Sequence, residues 1–277
     1  MLLKKFGLAA GLCSAGTLLA TAALAMPVPW EIGFQPAASP VMERIESFHT
    51  GVLYIVTLIC IFVFGLQLWI IIRYNHRSNP VPGKTTHNTL LEVAWTIVPV
   101  IILVVIAIPS FKLLYFEADV PPPDVTIKAI GHQWFWSYQY PASNFQFDSL
   151  GLSDADALKK GEPRLLGVDN VVVVPVNKVV KVLTTGADVI HSWAVPQFGV
   201  KMDAIPGRLN VTWFKALYEG TYYGECSELC GARHAYMPIE VKVVSQNAFN
   251  AWLRGAKKKF ASISGTGDGT RVAAAGK

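Results

Sequence analysis

Two long apolar runs interrupt the polar texture of the first half of the chain, at residues 52–72 and 93–111, and neither holds a charged residue. Each approaches the roughly 20 residues that cross a ~30 Å hydrocarbon core. Pro99 and Pro109 fall in or beside the second run; both would break a soluble helix, but neighbouring helices in a membrane can accommodate them. After residue 120 the pattern changes. Short β-rich runs at 125–130, 171–174, 178–183, 209–214 and 239–244 alternate with turn residues. No helical periodicity separates them, so the pattern predicts a sandwich or barrel. Residues 154–162 read as a surface excursion, and no internal repeat is present.

The N-terminus adds a third apolar segment of a different kind. Residues 1–25 carry Lys4 and Lys5, an apolar stretch and Ala23-Leu24-Ala25, the layout of a cleaved secretory signal. The residues between the spans carry Arg73, Arg77 and Lys84 and no acid, which places that link in the cytoplasm. A cleaved signal and two spans both return the remainder of the chain to the outside. The expected layout is therefore signal 1–25, periplasmic segment 26–49, helical hairpin 50–115, periplasmic β-domain 120–253 and a flexible basic tail 254–277. The site is the inner membrane of a bacterium.

Net charge changes the picture only when divided. The chain carries +5, but residues 114–240 hold ten Lys or Arg against fourteen Asp or Glu, a balance of −4. An acidic outer domain suits a basic partner and disfavours nucleic acid. Of the four cysteines, Cys13 lies in the signal and Cys60 in an apolar run. That leaves Cys226 and Cys230 for chemistry.

Those two stand in Cys226-Ser-Glu-Leu-Cys230-Gly-Ala-Arg-His234-Ala-Tyr-Met237. Thiolate and thioether are soft ligands that select copper, zinc or iron–sulfur, and imidazole suits copper and zinc. On the cysteine pair alone, a disulfide and a metal site are equally good readings. His234 and Met237 shift the balance to copper, since zinc has little use for a thioether. A mononuclear blue-copper site would have one sulfur too many here and one histidine too few. A second copper bridged by the second thiolate, with one more histidine, completes the set. His191, flanked by apolar and aromatic residues in Val189-Ile-His191-Ser-Trp193, is the candidate.

The same stretches, with Met202-Asp-Ala-Ile-Pro-Gly-Arg208, Gly131-His-Gln-Trp134-Phe-Trp-Ser-Tyr138 and Glu92-Val-Ala-Trp-Thr-Ile-Val-Pro99, resemble subunit II of haem–copper cytochrome c oxidases, from about Glu43 to about Trp252. The resemblance implies a two-helix transmembrane hairpin followed by an all-β cupredoxin-like sandwich. It implies a dinuclear copper centre held by His191, Cys226, Cys230, His234, Met237 and the backbone carbonyl of Glu228. The Glu228 side chain would reach a Mg²⁺ or Mn²⁺ ion shared with the catalytic subunit, as hard cations prefer oxygen. Trp134 would be the ring through which electrons arrive from cytochrome c, and Glu92 the mouth of a proton path. Asp169 and Asp188 match acidic docking positions, with Asp148 a further candidate. Gln139 departs from the pattern, standing where relatives carry Glu. His132 reads as structural. The implied partners are cytochrome c, the haem-bearing subunit I, other oxidase subunits and the membrane. A quinol oxidase subunit would lack these ligands. A membrane-tethered copper chaperone or thiol–disulfide oxidoreductase is the rival, and it leaves Glu228, Met237 and the two spans unexplained.

Overall fold

In the computed structural model of the chain, which describes residue 28 and residues 30–260, two long helices precede a β-domain. The proposed signal and residues 261–277 of the tail lie outside the described residues. Helix α1 spans Pro40–Arg73 and α2 spans Thr89–Ala118. Both are long and apolar enough to cross a membrane. The described residues form two compact units, one of residues 43–120 and one of residues 121–260 with the segment that ends at Met42.

Helix α1 begins ten residues ahead of the expected hairpin boundary, and its cap explains why. Ser39 Oγ accepts from Met42 N at 3.1 Å and donates to Phe198 O at 2.7 Å. Pro40 follows in a first-turn position, where its missing N–H costs nothing. Ala38 N donates to Gln197 O, and Leu217 N donates to Ala38 O. The apolar run marks where the helix can meet lipid; the cap marks where it starts. Asn88 opens α2 in the same way, its Oδ1 accepting from Leu90 N and Leu91 N.

The β-domain contains β1 (Val125–His132), β2 (Phe135–Tyr140), β3 (Phe145–Ser149), β4 (Val172–Pro175), β5 (Val179–Gly186), β6 (His191–Val195), β7 (Val200–Ala204), β8 (Asn210–Lys215), β9 (Gly220–Cys226) and β10 (Pro238–Val244). They form two five-stranded sheets, ordered β3-β2-β1-β5-β8 and β4-β10-β9-β6-β7. The β1–β5 and β4–β10 pairs are parallel. This is the sandwich that the short β-rich runs predict, in the cupredoxin-like form that the resemblance implies. Trp136, Tyr138, Trp193, Phe198 and Phe214 are fully buried. Phe198 and Phe214 stack with centroids 4.4 Å apart, and Trp193 Nε1 donates to Tyr138 Oη at 3.2 Å.

Residues 154–162 are the mostly exposed excursion expected, and they contain a short helix, α3 (Asp154–Lys160), capped by Ser153 and seated on buried Ala157. The flexible tail does not begin at 254, because helix α4 runs through Gln246–Phe260. Phe249, Ala256 and Phe260 recur on one helical face and are buried. Phe260 stacks on Phe147 at 4.9 Å between centroids. The exposed lysines at 257–259 obscured this stripe, since they fill the helix surface between its buried positions.

Candidate metal centre

Pairing of β6 with β9 builds the site. Trp193 lies opposite Cys226, so His191 at the head of β6 faces the end of β9. Beyond Cys226 the chain leaves the sheet and returns as β10, with Pro238 opposite Glu225. Cys226 N donates to Met237 O at 3.4 Å across the neck of this loop, and Ser227 N donates to Ser192 O at 3.0 Å. Every sulfur and imidazole donor singled out in the sequence therefore lies on one hairpin loop or on the strand beside it.

The donor atoms converge. Cys226 Sγ and Cys230 Sγ stand 3.8 Å apart, and both thiols are free and buried. His191 Nδ1 lies 3.9 Å from Cys226 Sγ, and His234 Nδ1 lies 3.5 Å from Cys230 Sγ. Met237 Sδ is 3.5 Å from Cys230 Sγ, and the Glu228 carbonyl is 3.4 Å from Cys226 Sγ. His191, Cys226 and Cys230 place their donor atoms within 4.8 Å of one another. Each sulfur thus has an imidazole beside it.

This donor set suits copper. Two thiolates at about 2.3 Å from one tetrahedral ion would themselves be separated by close to the distance seen here. Sulfur and imidazole line the cluster while the Glu228 side chain is exposed, which favours a soft metal over Mg²⁺ or Ca²⁺ at this point. Burial pushes both thiols up. For Cys226, hydrogen bonds from His191 and from the loop backbone outweigh it and bring the thiol down to about 7. Cys230 is pushed up to about 12 by burial and by the neighbouring Cys226. A metal bound at this pair would displace the thiol protons.

Asp188 and Gln133 hold the cluster in shape. Asp188 was expected on the docking face, and its side chain is one-third exposed. Its carboxylate nevertheless accepts from His191 Nε2 at 2.8 Å, Val189 N at 2.6 Å and Gln133 N at 2.7 Å. That partner leaves Nδ1 as the nitrogen offered to a metal. Gln133 also donates through Nε2 to Cys230 O at 2.8 Å, so one residue ties the β1–β2 turn to both halves of the site. Acidic residues close before a histidine are common in sequences, and only the fold shows that this pair bonds.

Trp134 is half-buried, and its indole Nε1 is buried without a hydrogen-bond partner among the described residues. A Cβ added at Gly231 would stand 3.1 Å from the indole ring, so the ring lies directly on the residue after Cys230. Asp148 and Asp169 are both exposed. Asp148 accepts from Ser137 Oγ at 2.6 Å, and Ser137 in turn contacts His132 Nε2 at 3.1 Å. Asp169 accepts from Leu150 N and Asn170 N. Gln139 is hydrogen-bonded to Gln146 across β2 and β3. Glu92 lies in the first turn of α2 and is exposed.

Gly131 is required by the His191 ring. An added Cβ would stand 2.6 Å from His191 Cδ2, closer than any tolerated carbon contact. Gly131→Ala should leave the sandwich folded but displace the imidazole from Asp188. Copper affinity should fall by about 10–100-fold, the range for disturbed ligand-orienting contacts. Competition with a copper chelator measures this, and wild-type retention would show that His191 is not a ligand.

Comparison with known proteins places these features. The family description for cytochrome c oxidase subunit II, periplasmic domain, matches residues 125–244, and that for its transmembrane domain matches residues 27–113. The probable cytochrome c oxidase subunit 2 of Rickettsia bellii is 49% identical over 249 residues, covering 90% of this chain and 91% of that protein. Cytochrome c oxidase subunit 2 of Cereibacter sphaeroides is 46% identical over 270 residues, covering 88% and 89%. The solved periplasmic domain of subunit II of cytochrome oxidase from Bradyrhizobium japonicum is 59% identical, covers 51% of this chain and 99% of its own, and has a TM-score of 0.48.

Proposed function

The chain belongs to the cytochrome c oxidase subunit II family, and from that premise we propose how its residues serve the oxidase. The protein is a membrane subunit of a haem–copper oxidase, an oxidoreductase complex, with a periplasmic β-domain. In our reading it resides in a bacterial inner membrane, takes electrons from cytochrome c and delivers them to haem in subunit I. Reduction of oxygen to water and the proton pumping coupled to it belong to that partner.

The observation that carries this reading is the donor arrangement, with one imidazole beside each of a pair of sulfurs. His191, Cys226, Cys230 and His234 would hold the two coppers, with Met237 and the Glu228 carbonyl as weaker ligands. Copper bound there would supply a one-electron store. Around it, Asp188 fixes the tautomer and angle of His191, and Gln133 locks the turn bearing Trp134 to the Cys230 backbone. The exposed Glu228 carboxylate would hold Mg²⁺ or Mn²⁺ shared with subunit I. Asp148 and Asp169 would attract a basic cytochrome c, an effect screened beyond about 8 Å at physiological salt. Glu92, in the first turn of α2, would take up protons for subunit I.

Metal analysis of the intact oxidase tests the site. The expected result is two coppers in this subunit with a mixed-valence signal. A single copper, or a Cys226–Cys230 disulfide without copper, would favour the chaperone or thiol oxidoreductase instead.

A further inference from the structure

The hairpin of α1 and α2 contains a cavity of about 450 Å³, within the roughly 300–1,000 Å³ range of small-ligand sites. Its walls include Ile55, Val105 and Pro109, with Gly51 opening the α1 side. Two cations line it as well, Arg44 from the start of α1 and Lys112 from the end of α2. Both belong to the end of the hairpin that leads into the periplasmic domain. Among the described residues neither cation forms an ion pair. The Arg44 guanidinium lies 3.5 Å over the Phe116 ring, which fixes the plane of the fork and leaves its N–H edge available.

Two unpaired cations at the membrane boundary, above apolar walls, require an anion attached to something apolar. Water or a free anion would satisfy the charges and leave the walls unfilled; an acyl chain alone would do the reverse. We propose that this cavity binds an anionic glycerophospholipid, its phosphate held by Arg44 and Lys112 and its upper chain lying against Ile55 and Val105. Arg44 supplies a planar pair of donors to the phosphate and Lys112 a point charge. A bound lipid would thereby fill the gap between the two helices.

The test uses the intact oxidase, delipidated in detergent and titrated with phosphatidylglycerol under native mass spectrometry. Each cation near an anionic headgroup contributes about fivefold, so Arg44→Gln with Lys112→Gln should weaken one binding event by about thirtyfold. Gly51→Leu is the second variant: no atom lies within 4 Å of a Cβ there, so the new side chain can enter the cavity. It should remove the same lipid while subunit and haem content stay normal. Diacylglycerol and inorganic phosphate, offered as competitors, should displace it poorly, because each has only half of the required chemistry. Unchanged lipid binding in both variants would overturn the proposal. So would failure of both to assemble, which would assign the cavity to a side chain of a neighbouring subunit. If only the charge variant failed to assemble, lipid binding in Gly51→Leu would decide.

Discussion

Cys226→Ser and Cys230→Ser are each expected to abolish the mixed-valence copper signal and to reduce cytochrome c-driven turnover by at least about 100-fold. That floor follows from the 10–100-fold cost of disturbing mere supporting contacts at metal sites, which loss of a bridging ligand should exceed. A hydroxyl replaces the sulfur with little change of shape, yet it does not ionise near neutral pH and is a hard donor that copper ranks below thiolate. The two variants should also differ. Cys226 has His191, the Glu228 carbonyl and the Ser192–Ser227 contact around it, so its loss leaves His234, Met237 and Cys230 together as a possible mononuclear set. Loss of Cys230 separates His191 and Cys226 from Met237 and removes the sulfur that both His234 and Met237 approach. Cys230→Ser should therefore retain less copper than Cys226→Ser. Metal content and electron paramagnetic resonance on the purified complex check both statements. A mixed-valence spectrum surviving in either variant would defeat the dinuclear arrangement.

Part of this site was legible without coordinates because its chemistry is concentrated. Cys226, Cys230, His234 and Met237 occupy one loop, and spacing alone suggests their convergence. His191 needed its apolar neighbourhood to stand out, and β6–β9 pairing brings it to the loop. What stayed hidden were contacts made by residue types with many ordinary uses. Asp188 reads as a surface acid until its three hydrogen bonds are seen. Gly131 reads as a turn glycine, while its task is to leave room for an imidazole. The fold followed a similar division. Apolar spans are visible in composition, as are the more uniformly β-branched strands. β2 is aromatic and largely buried, so it lacks the alternation that reveals a half-exposed strand. Helix α4 was concealed by its lysines, which dominate composition although the buried stripe fixes the helix.

Trp134→Gln should reduce the rate of electron delivery from bound cytochrome c by about two orders of magnitude, or about 2.7 kcal/mol in barrier, with affinity nearly unchanged. The reasoning starts from the ring's position. Trp134 is half-buried, rests on Gly231 beside Cys230, and is joined through Gln133 to the Cys230 carbonyl. An aromatic ring in that place offers a partly exposed edge at one side and a ligand-bearing backbone at the other. Gln preserves a polar, similarly long side chain but removes the π-system. The competing role is docking. Tryptophans that anchor interfaces cost ≥2 kcal/mol on truncation, or about thirtyfold in affinity, and such a loss would appear in binding before any change in rate at saturation. Rim acids give a third signature: Asp148→Asn and Asp169→Asn should slow association at low salt and leave the saturated rate alone. Stopped-flow reduction at several cytochrome c concentrations and two ionic strengths separates the three. A Trp134→Phe variant should recover part of the rate, because a ring is restored without the indole. A thirtyfold loss of affinity with an unchanged saturated rate would make Trp134 an anchor, and the path of the electron would then have to be sought elsewhere on the loop.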